Sequence, residues 1–389
     1  MVDLKAWLNE QREKGRLRSL RPVIAREKGR LILAEDDNRT LLDFSSNDYL
    51  ALAEHPALIA AAQEALSRFG AGSGASRLMS GDLAVHHDLE QAVAQLKGQE
   101  GALTFGSGYM ANTGIIPALM GRHDLIFSDR LNHASIHDGC RLSGARVIRF
   151  RHNDLNHLEE LLTKKRGTTT PLIVVESIYS MDGDRCPLRE LAALKERFGC
   201  LLMVDEAHAT GVFGPTGGGI IEEDGMSGAV DLAVGTFGKG LGSYGAFVAG
   251  NREMIEYLVN RARSFIFSTA LPPAVAAASL AAVRLIRHEP GLRRELQEKI
   301  GYFKGVLRKG GYEADLGPSQ IIPIVVGESE AALHIAELLQ KKGIFATAVR
   351  PPTVPQGTAR LRFSITRHHS TTDLSRAAET LLEIMEDSR

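Results

Sequence analysis

Seven short apolar runs punctuate the chain between residues 101 and 250: GALTF, DLIFS, ARVIRF, LIVVESIYS, LLMVDEAH, LAVGTFG and GAFVAG. Amphipathic stretches such as LEELLTKK and LRELAALKERFG lie between several of them. The runs are apolar throughout instead of alternating with polar residues. Strands of that kind are buried on both faces, which requires helices above and below the sheet. The pattern predicts an α/β domain with a mostly parallel sheet, over about residues 45–285.

The rest of the chain reads differently. Two helical patterns, PPAVAAASLAAVRLIRH and LRRELQEKIGYFKGVLRKGG, are followed by IIPIVV, a helix in AALHIAELLQKKG, strands in IFATAV and ARLRFSI, and a last helix in LSRAAETLLEIMED. That order suits a smaller α+β domain over residues 286–389, with residues 1–44 as an N-terminal segment packing with it. RPPTVPQGTAR reads as a rigid loop, because its prolines continue neither a helix nor a central strand.

A chain of 389 residues has ample material for two domains. Its 46 basic and 47 acidic residues leave a formal charge of -1, no footprint for nucleic acid or an acidic membrane. The three cysteines, Cys140, Cys186 and Cys200, have no metal-ligand spacing, so no metal is expected, and they suit a reducing compartment. The charged, amphipathic MVDLKAWLNEQREKGRLRSLRP lacks the core of a signal peptide, and no apolar run approaches the ~20 residues of a membrane span. The expectation is a cytoplasmic protein.

Chemistry gathers where apolar runs end. VDEAHATG places Asp205 at the end of LLMV, with His208 three residues on; in open α/β sheets ligands bind outside the carboxyl ends of strands. TFGSGYMAN sets Gly106, Gly108 and Ala111 at the opening of a helix, where exposed N–H groups attract phosphate. Those residues also fit a dinucleotide turn, with Asp129 about 20 residues on. SDRLNHASIHDG carries His133, and ESIYSMDGD carries Glu176 and Ser180. GTFGKG ends the sixth run with Lys239 between two glycines. It is no phosphate loop, since Ala233 and Gly240 stand where that motif needs Gly and Ser or Thr. A phosphate site, an aspartate, histidines and one lysine on parallel strand ends together describe a site for pyridoxal phosphate. That cofactor needs a lysine to hold it and an acidic partner for its ring nitrogen.

Several stretches carry a resemblance to a known family: SSNDYLAL, GAGSGASRLMSG, FGSGYMAN, LNHASIHDG, SMDGD, VDEAHATG, TFGKGLGSYG, FIFSTALPP and RPPTVPQGTARLRFSIT. Across nearly its whole length the chain resembles the α-oxoamine synthases, pyridoxal-phosphate enzymes of the aspartate-aminotransferase-like fold (fold type I).

The resemblance implies roles. Lys239 would hold the cofactor covalently and then act as general base. Asp205 would pair with the ring nitrogen, His208 with the ring hydroxyl, and His133 would stack on the ring face. Gly108, Tyr109, Ser180 and Thr236 would contact cofactor oxygens. Thr269 would reach the phosphate from a second subunit, which implies a homodimer with shared active sites. Arg362 would bind the amino-acid carboxylate. Arg18 (or Arg21, if the N-terminal match slips), Asn47, His133, Glu176, Arg350 and Thr353 match substrate-side positions. RPPTVP is similar to the biotin-pathway member, an acyltransferase that joins L-alanine to a pimeloyl thioester, on coenzyme A or a carrier protein, with loss of carbon dioxide. The alternatives are glycine C-acetyltransferase chemistry, with glycine and acetyl-CoA, and a dinucleotide-binding dehydrogenase.

Overall fold

The computed structural model describes residues 2–36, 38–164 and 169–387. The chain forms two compact units. One comprises residues up to Asn47, Met181–Gly183 and the chain from Glu295 on; the other comprises Asp48–Ser180 and Asp184–Arg294.

The larger unit is built on a seven-stranded sheet. Its strands are β1 (Gly101–Phe105), β2 (Leu125–Asp129), β3 (Arg146–Phe150), β4 (Leu172–Glu176), β5 (Leu201–Asp205), β6 (Leu232–Thr236) and β7 (Ala246–Gly250). All seven apolar runs supply a strand. The spatial order is β1-β7-β6-β5-β4-β2-β3. β7 is antiparallel to both neighbours, and the other pairs are parallel, so β1 to β6 all run the same way. Their carboxyl ends therefore share one edge of the sheet.

β2, β4 and β7 are buried along their whole length. Ile126, Val174, Met203, Val234 and Val248 form the core with Ile115 and Ile116 of the helix Gly108–Leu119. Burying each such side chain contributes about 1.5–3 kcal/mol. β3 departs from the expected buried strand. It lies at the sheet edge with Arg146 and Arg149 exposed, and such charges discourage further strand pairing. Some connecting helices end at a glycine their sequences supply. Leu188–Phe198, for example, stops at Gly199, whose φ of 62° is the left-handed cap that glycine adopts without strain.

The smaller unit holds two sheets. Val23–Glu27, Arg30–Leu33, Thr40–Asp43 and Ile344–Phe345 form one; Ile321–Gly327, Ala359–Ser364 and Thr347–Val349 form the other. IFATAV is thus two strands, not one. Ile344–Phe345 pairs in parallel with Leu42 and Asp43, while Thr347–Val349 pairs antiparallel with Arg360–Arg362. The core includes Phe44, Phe303, Phe363 and His369, with the Phe44 and His369 rings stacked 4.2 Å apart. His369 Nδ1 accepts from Thr366 N–H and Nε2 meets Asp43 O at 3.0 Å, so the ring is neutral. Burial pushes its pKa down to about 4. It is a core residue, not a catalytic one.

Candidate active site

Five strands of the larger unit deliver side chains to the shared edge. β1 leads to Gly108 and Tyr109, β2 to His133, β4 to Glu176 and Ser180, β5 to Asp205 and His208, and β6 to Thr236 and Lys239.

Glu176 and Asp205 are paired positions on adjacent parallel strands, and both are buried. Asp205 Oδ1 accepts from Ala207 N–H at 2.9 Å, and Oδ2 accepts from Asn112 Nδ2 at 2.9 Å. These donors are neutral. A buried carboxylate with neutral donors is suited to a cationic N–H, as a protonated ring nitrogen provides. Glu176 accepts the backbone N–H of His133. Burial, and then the Asp205 charge beside it, push the Glu176 pKa up to about 8.

Lys239 Nζ lies 2.9 Å from His208 Nε2, and His208 Nδ1 lies 2.7 Å from the Tyr49 hydroxyl. With Lys239 as an ammonium, which only donates, His208 Nε2 would accept and Nδ1 would carry the proton toward Tyr49. His133 caps the helix Ala134–Ser143, its Nδ1 accepting from Ser135 N–H at 3.2 Å and meeting Ser135 Oγ at 2.7 Å. Its pKa is lowered by burial, with Asp205 opposing and Lys239 adding to the shift.

Gly108 and Tyr109 are the first two residues of a twelve-residue helix, so their N–H groups have no acceptor inside it. Open space surrounds Gly108 where a Cβ would be. The Tyr109 hydroxyl donates to Asp138 at 2.6 Å. Thr236 Oγ1 donates to Gly245 O at 2.8 Å and accepts from Gly238 N–H at 3.2 Å, which closes the turn ahead of Lys239. Gly240 has a packing reason: an added Cβ would stand 2.6 Å from Thr210 O. Thr269 is exposed and bridges to Ser76.

The remaining predicted residues belong to the smaller unit. Arg362 Nη2 donates to Asn47 Oδ1 at 3.1 Å and Nη1 to Ser364 Oγ at 2.7 Å. Arg18 reaches Thr353 Oγ1 at 3.4 Å, whereas Arg21 is held by Glu35 and, at 2.9 Å, by Gln340. Arg350 donates to Gly15 O and accepts Thr353 N–H at its carbonyl.

Sequence reasoning passed over Asn112, Tyr49 and the pair Lys97–Glu206. The signal for Asn112 was a lone amide in the apolar helix GYMANTGIIPAL. The Lys97 and Glu206 side chains are fully buried, and Lys97 Nζ meets Glu206 Oε2 at 2.8 Å, Thr210 Oγ1 at 2.8 Å and Gly218 O at 2.7 Å. This ion pair anchors the turn that follows Asp205 and carries His208. Asp129, the acidic residue of the dinucleotide pattern, is fully buried and occupied by Leu131 N–H, Asn153 N–H and His152. That leaves it unable to hold a ribose.

All three cysteines are buried and free, with burial lifting each thiol pKa. Among the described residues, no cluster of His, Cys, Asp and Glu could hold a metal ion, and no helix is long and apolar enough to cross a membrane.

The model of the aminotransferase class I and II family matches residues 39–381. An 8-amino-7-oxononanoate synthase of Geobacter sulfurreducens is 50% identical over 379 residues, covering 97% of this chain and 96% of the relative. One from Pelobacter propionicus is 51% identical with the same coverage. Among solved structures, serine palmitoyltransferase from S. paucimobilis with bound PLP–myriocin superposes with a TM-score of 0.93 at 31% identity, covering 99% of this chain and 97% of that one. An 8-amino-7-oxononanoate synthase from Francisella tularensis superposes with a TM-score of 0.78 at 29% identity, covering 90% and 98%. The sequence relatives share far more residues with this chain than the palmitoyltransferase does, and the lysine, aspartate and histidines stand on one sheet edge. The chain belongs to the aminotransferase class I and II family and, within it, to the 8-amino-7-oxononanoate synthases.

Proposed function

We propose that the chain condenses L-alanine with a pimeloyl thioester, giving 8-amino-7-oxononanoate, carbon dioxide and the free thiol. The observation that carries this reading is the Lys239–His208 contact at 2.9 Å, on the same edge as a buried Asp205 whose donors are neutral. Those residues fit pyridoxal 5'-phosphate, the cofactor of the family. When bound, it supplies an electron sink for negative charge developing at the amino acid's α-carbon.

Asp205 would keep the ring nitrogen protonated. Lys239 would hold the cofactor, and its Nζ would serve as a positioned general base for the α-proton. His208, fixed by Tyr49, orients Nζ and serves the ring hydroxyl. His133 would pack against the cofactor ring, and Ser180 would contact its oxygens. The N–H groups of Gly108 and Tyr109 receive the phosphate at their helix N-terminus. Thr236 joins them by turning its hydroxyl away from Gly245 O. Arg362, steadied by Asn47, pairs with the amino-acid carboxylate. Arg18, Arg350 and Thr353 serve the acyl donor, on coenzyme A or a carrier protein. The Arg18–Thr353 contact favours Arg18 over Arg21 for that task. Thr269, exposed on its own chain, completes the phosphate site of a second copy in a homodimer.

The test compares thiol release with L-alanine plus pimeloyl-CoA against glycine plus acetyl-CoA, together with borohydride trapping. Release with the first pair and a cofactor adduct at Lys239 are expected. Release with glycine and acetyl-CoA alone would overturn the substrate assignment. An adduct elsewhere, or none, would overturn the role of Lys239.

A further inference from the structure

One charged cluster at the carboxyl edge has no part in the reaction above. His152, just past β3, sits between a carboxylate at the end of β2 and one on the loop after β4. Its Nδ1 is 3.0 Å from Asp129 Oδ1, and its Nε2 is 2.7 Å from Asp184 Oδ2. A neutral imidazole carries one N–H, and a carboxylate only accepts. Both contacts are hydrogen bonds only when the ring is an imidazolium.

Each carboxylate also holds backbone or amide groups that shape the cofactor edge. Asp129, the last residue of β2, accepts Leu131 N–H at 2.8 Å, the start of the turn that presents His133. It also accepts Asn153 N–H at 2.9 Å. Asp184, on the loop after β4, accepts Asn153 Nδ2 at 2.8 Å, and its carbonyl accepts Tyr179 N–H at 3.0 Å. Tyr179 precedes Ser180 and meets the His152 ring edge-on, 4.4 Å between centroids. Asn153 is held at φ 51°, an uncommon conformation for a residue with a Cβ.

We propose that the His152 imidazolium is a positioning residue for the cofactor site, a charged clamp tying the His133 turn to the Tyr179–Ser180 loop. The proposal rests on the pyridoxal-phosphate reading of that edge. It assigns His152 no contact with substrate or cofactor.

The titratable groups facing the ring are Asp129 from β2, with Asp184 and Tyr179 from the loop after β4, and the Asn153 side-chain amide nitrogen lies 3.4 Å from Nε2. Glu176 and Cys186 are the next titratable groups around Tyr179. Burial keeps Tyr179 and Cys186 protonated, and Glu176 is pushed up to about 8 by burial and then by Asp205. For His152, burial disfavours the charge, but the hydrogen bonds to Asp129 and Asp184 outweigh it and hold the pKa up to about 9. The folded value lies above the ordinary 6.5, so the clamp is intact at neutral pH and is lost as pH rises through about 9.

The holoenzyme tests this with two readouts, histidine ring nitrogen NMR for the state of His152 and visible absorbance for cofactor retention, from pH 7 to pH 10. Asp184→Asn keeps an acceptor for Nε2 but removes the charge, which lowers the His152 pKa by about one unit or more. The expected result is that the alkaline limb of cofactor retention falls by the same amount. His152→Asn should weaken retention roughly tenfold at pH 7 and lack that limb, tenfold being the equivalent of one pKa unit. The clamp is overturned if Asp184→Asn moves the His152 titration and leaves the retention limb in place, or if His152→Asn retains cofactor as the wild type does. Should His152→Asn fail to fold, Asp184→Asn decides alone. A wild-type chain that holds no pyridoxal phosphate at any pH would instead overturn the functional reading beneath it.

Discussion

Glu176 and Asp205 stand side by side on adjacent parallel strands, two buried carboxyl groups with different company. Asp205 has two neutral donors of its own, while Glu176 has the His133 N–H and a like charge next door. The proton therefore resides on Glu176, which is pushed up to about 8 by burial first and by Asp205 second.

That proton predicts a slope. The folded chain binds it between the ordinary 4.5 and about 8, where the unfolded chain does not, so stability falls as pH rises across that window. Glu176→Gln keeps an acceptor for His133 N–H and removes the titration. Thermal melts from pH 5 to pH 8 should show the wild type losing stability and the variant losing measurably less. Parallel curves would place the proton elsewhere.

Asp205→Asn keeps the acceptor for Ala207 N–H but loses the charge proposed to pair with the ring nitrogen. Turnover should drop by about 10²–10³, the scale of removing one preorganised electrostatic contact. The melting temperature should stay near that of the wild type. Steady-state kinetics and calorimetry on the same preparation separate the two effects.

Tyr49→Phe removes the buried hydrogen bond between the Tyr49 hydroxyl and His208 Nδ1. Losing one such bond costs about 0.5–1.5 kcal/mol. Denaturant unfolding should show that loss, and the borohydride adduct should still form at Lys239, since Nζ itself is untouched.

Lys97→Met leaves Glu206 as a lone charge in the core, a change worth about 3–5 kcal/mol. Adding Glu206→Gln should return part of the loss, because the orphaned charge goes while Ile221 N–H keeps an acceptor. A double-mutant cycle measures this directly, and additive losses would mean the two side chains do not act as a pair.

The glycines around Lys239 should behave unequally. Gly240→Ala puts a methyl 2.6 Å from the Thr210 carbonyl, and the crowding should cost about 1–3 kcal/mol. At Gly238 the nearest atom to an added Cβ is 3.5 Å away, so Gly238→Ala should fold normally. Melting curves of the two variants provide the comparison.

Most of the seven strands were legible because a strand buried on both faces is mainly apolar, and the positions of Asp205, His208 and Lys239 because they end or closely follow such strands. Asn112 was hidden because its meaning lies in a residue 93 positions away, to which its amide donates. Tyr49 was hidden for the same reason, its partner His208 lying 159 positions on. β3 reads as a strand like the others, and Arg146 and Arg149 are the residues in its sequence that mark its exposed place at the sheet edge. The split of IFATAV was invisible, since a change of sheet leaves hydropathy untouched.

The parallel pairing of Ile344–Phe345 with Leu42–Asp43 has a consequence for how the molecule is made. A strand near the start of the chain waits for one about 300 residues later, and loops that long close late. During synthesis, the larger unit emerges nearly whole before the smaller one can assemble. Until then Thr40–Asp43 has an unmet edge on that side, so a nascent chain halted before residue 344 would carry a finished sheet and an open one.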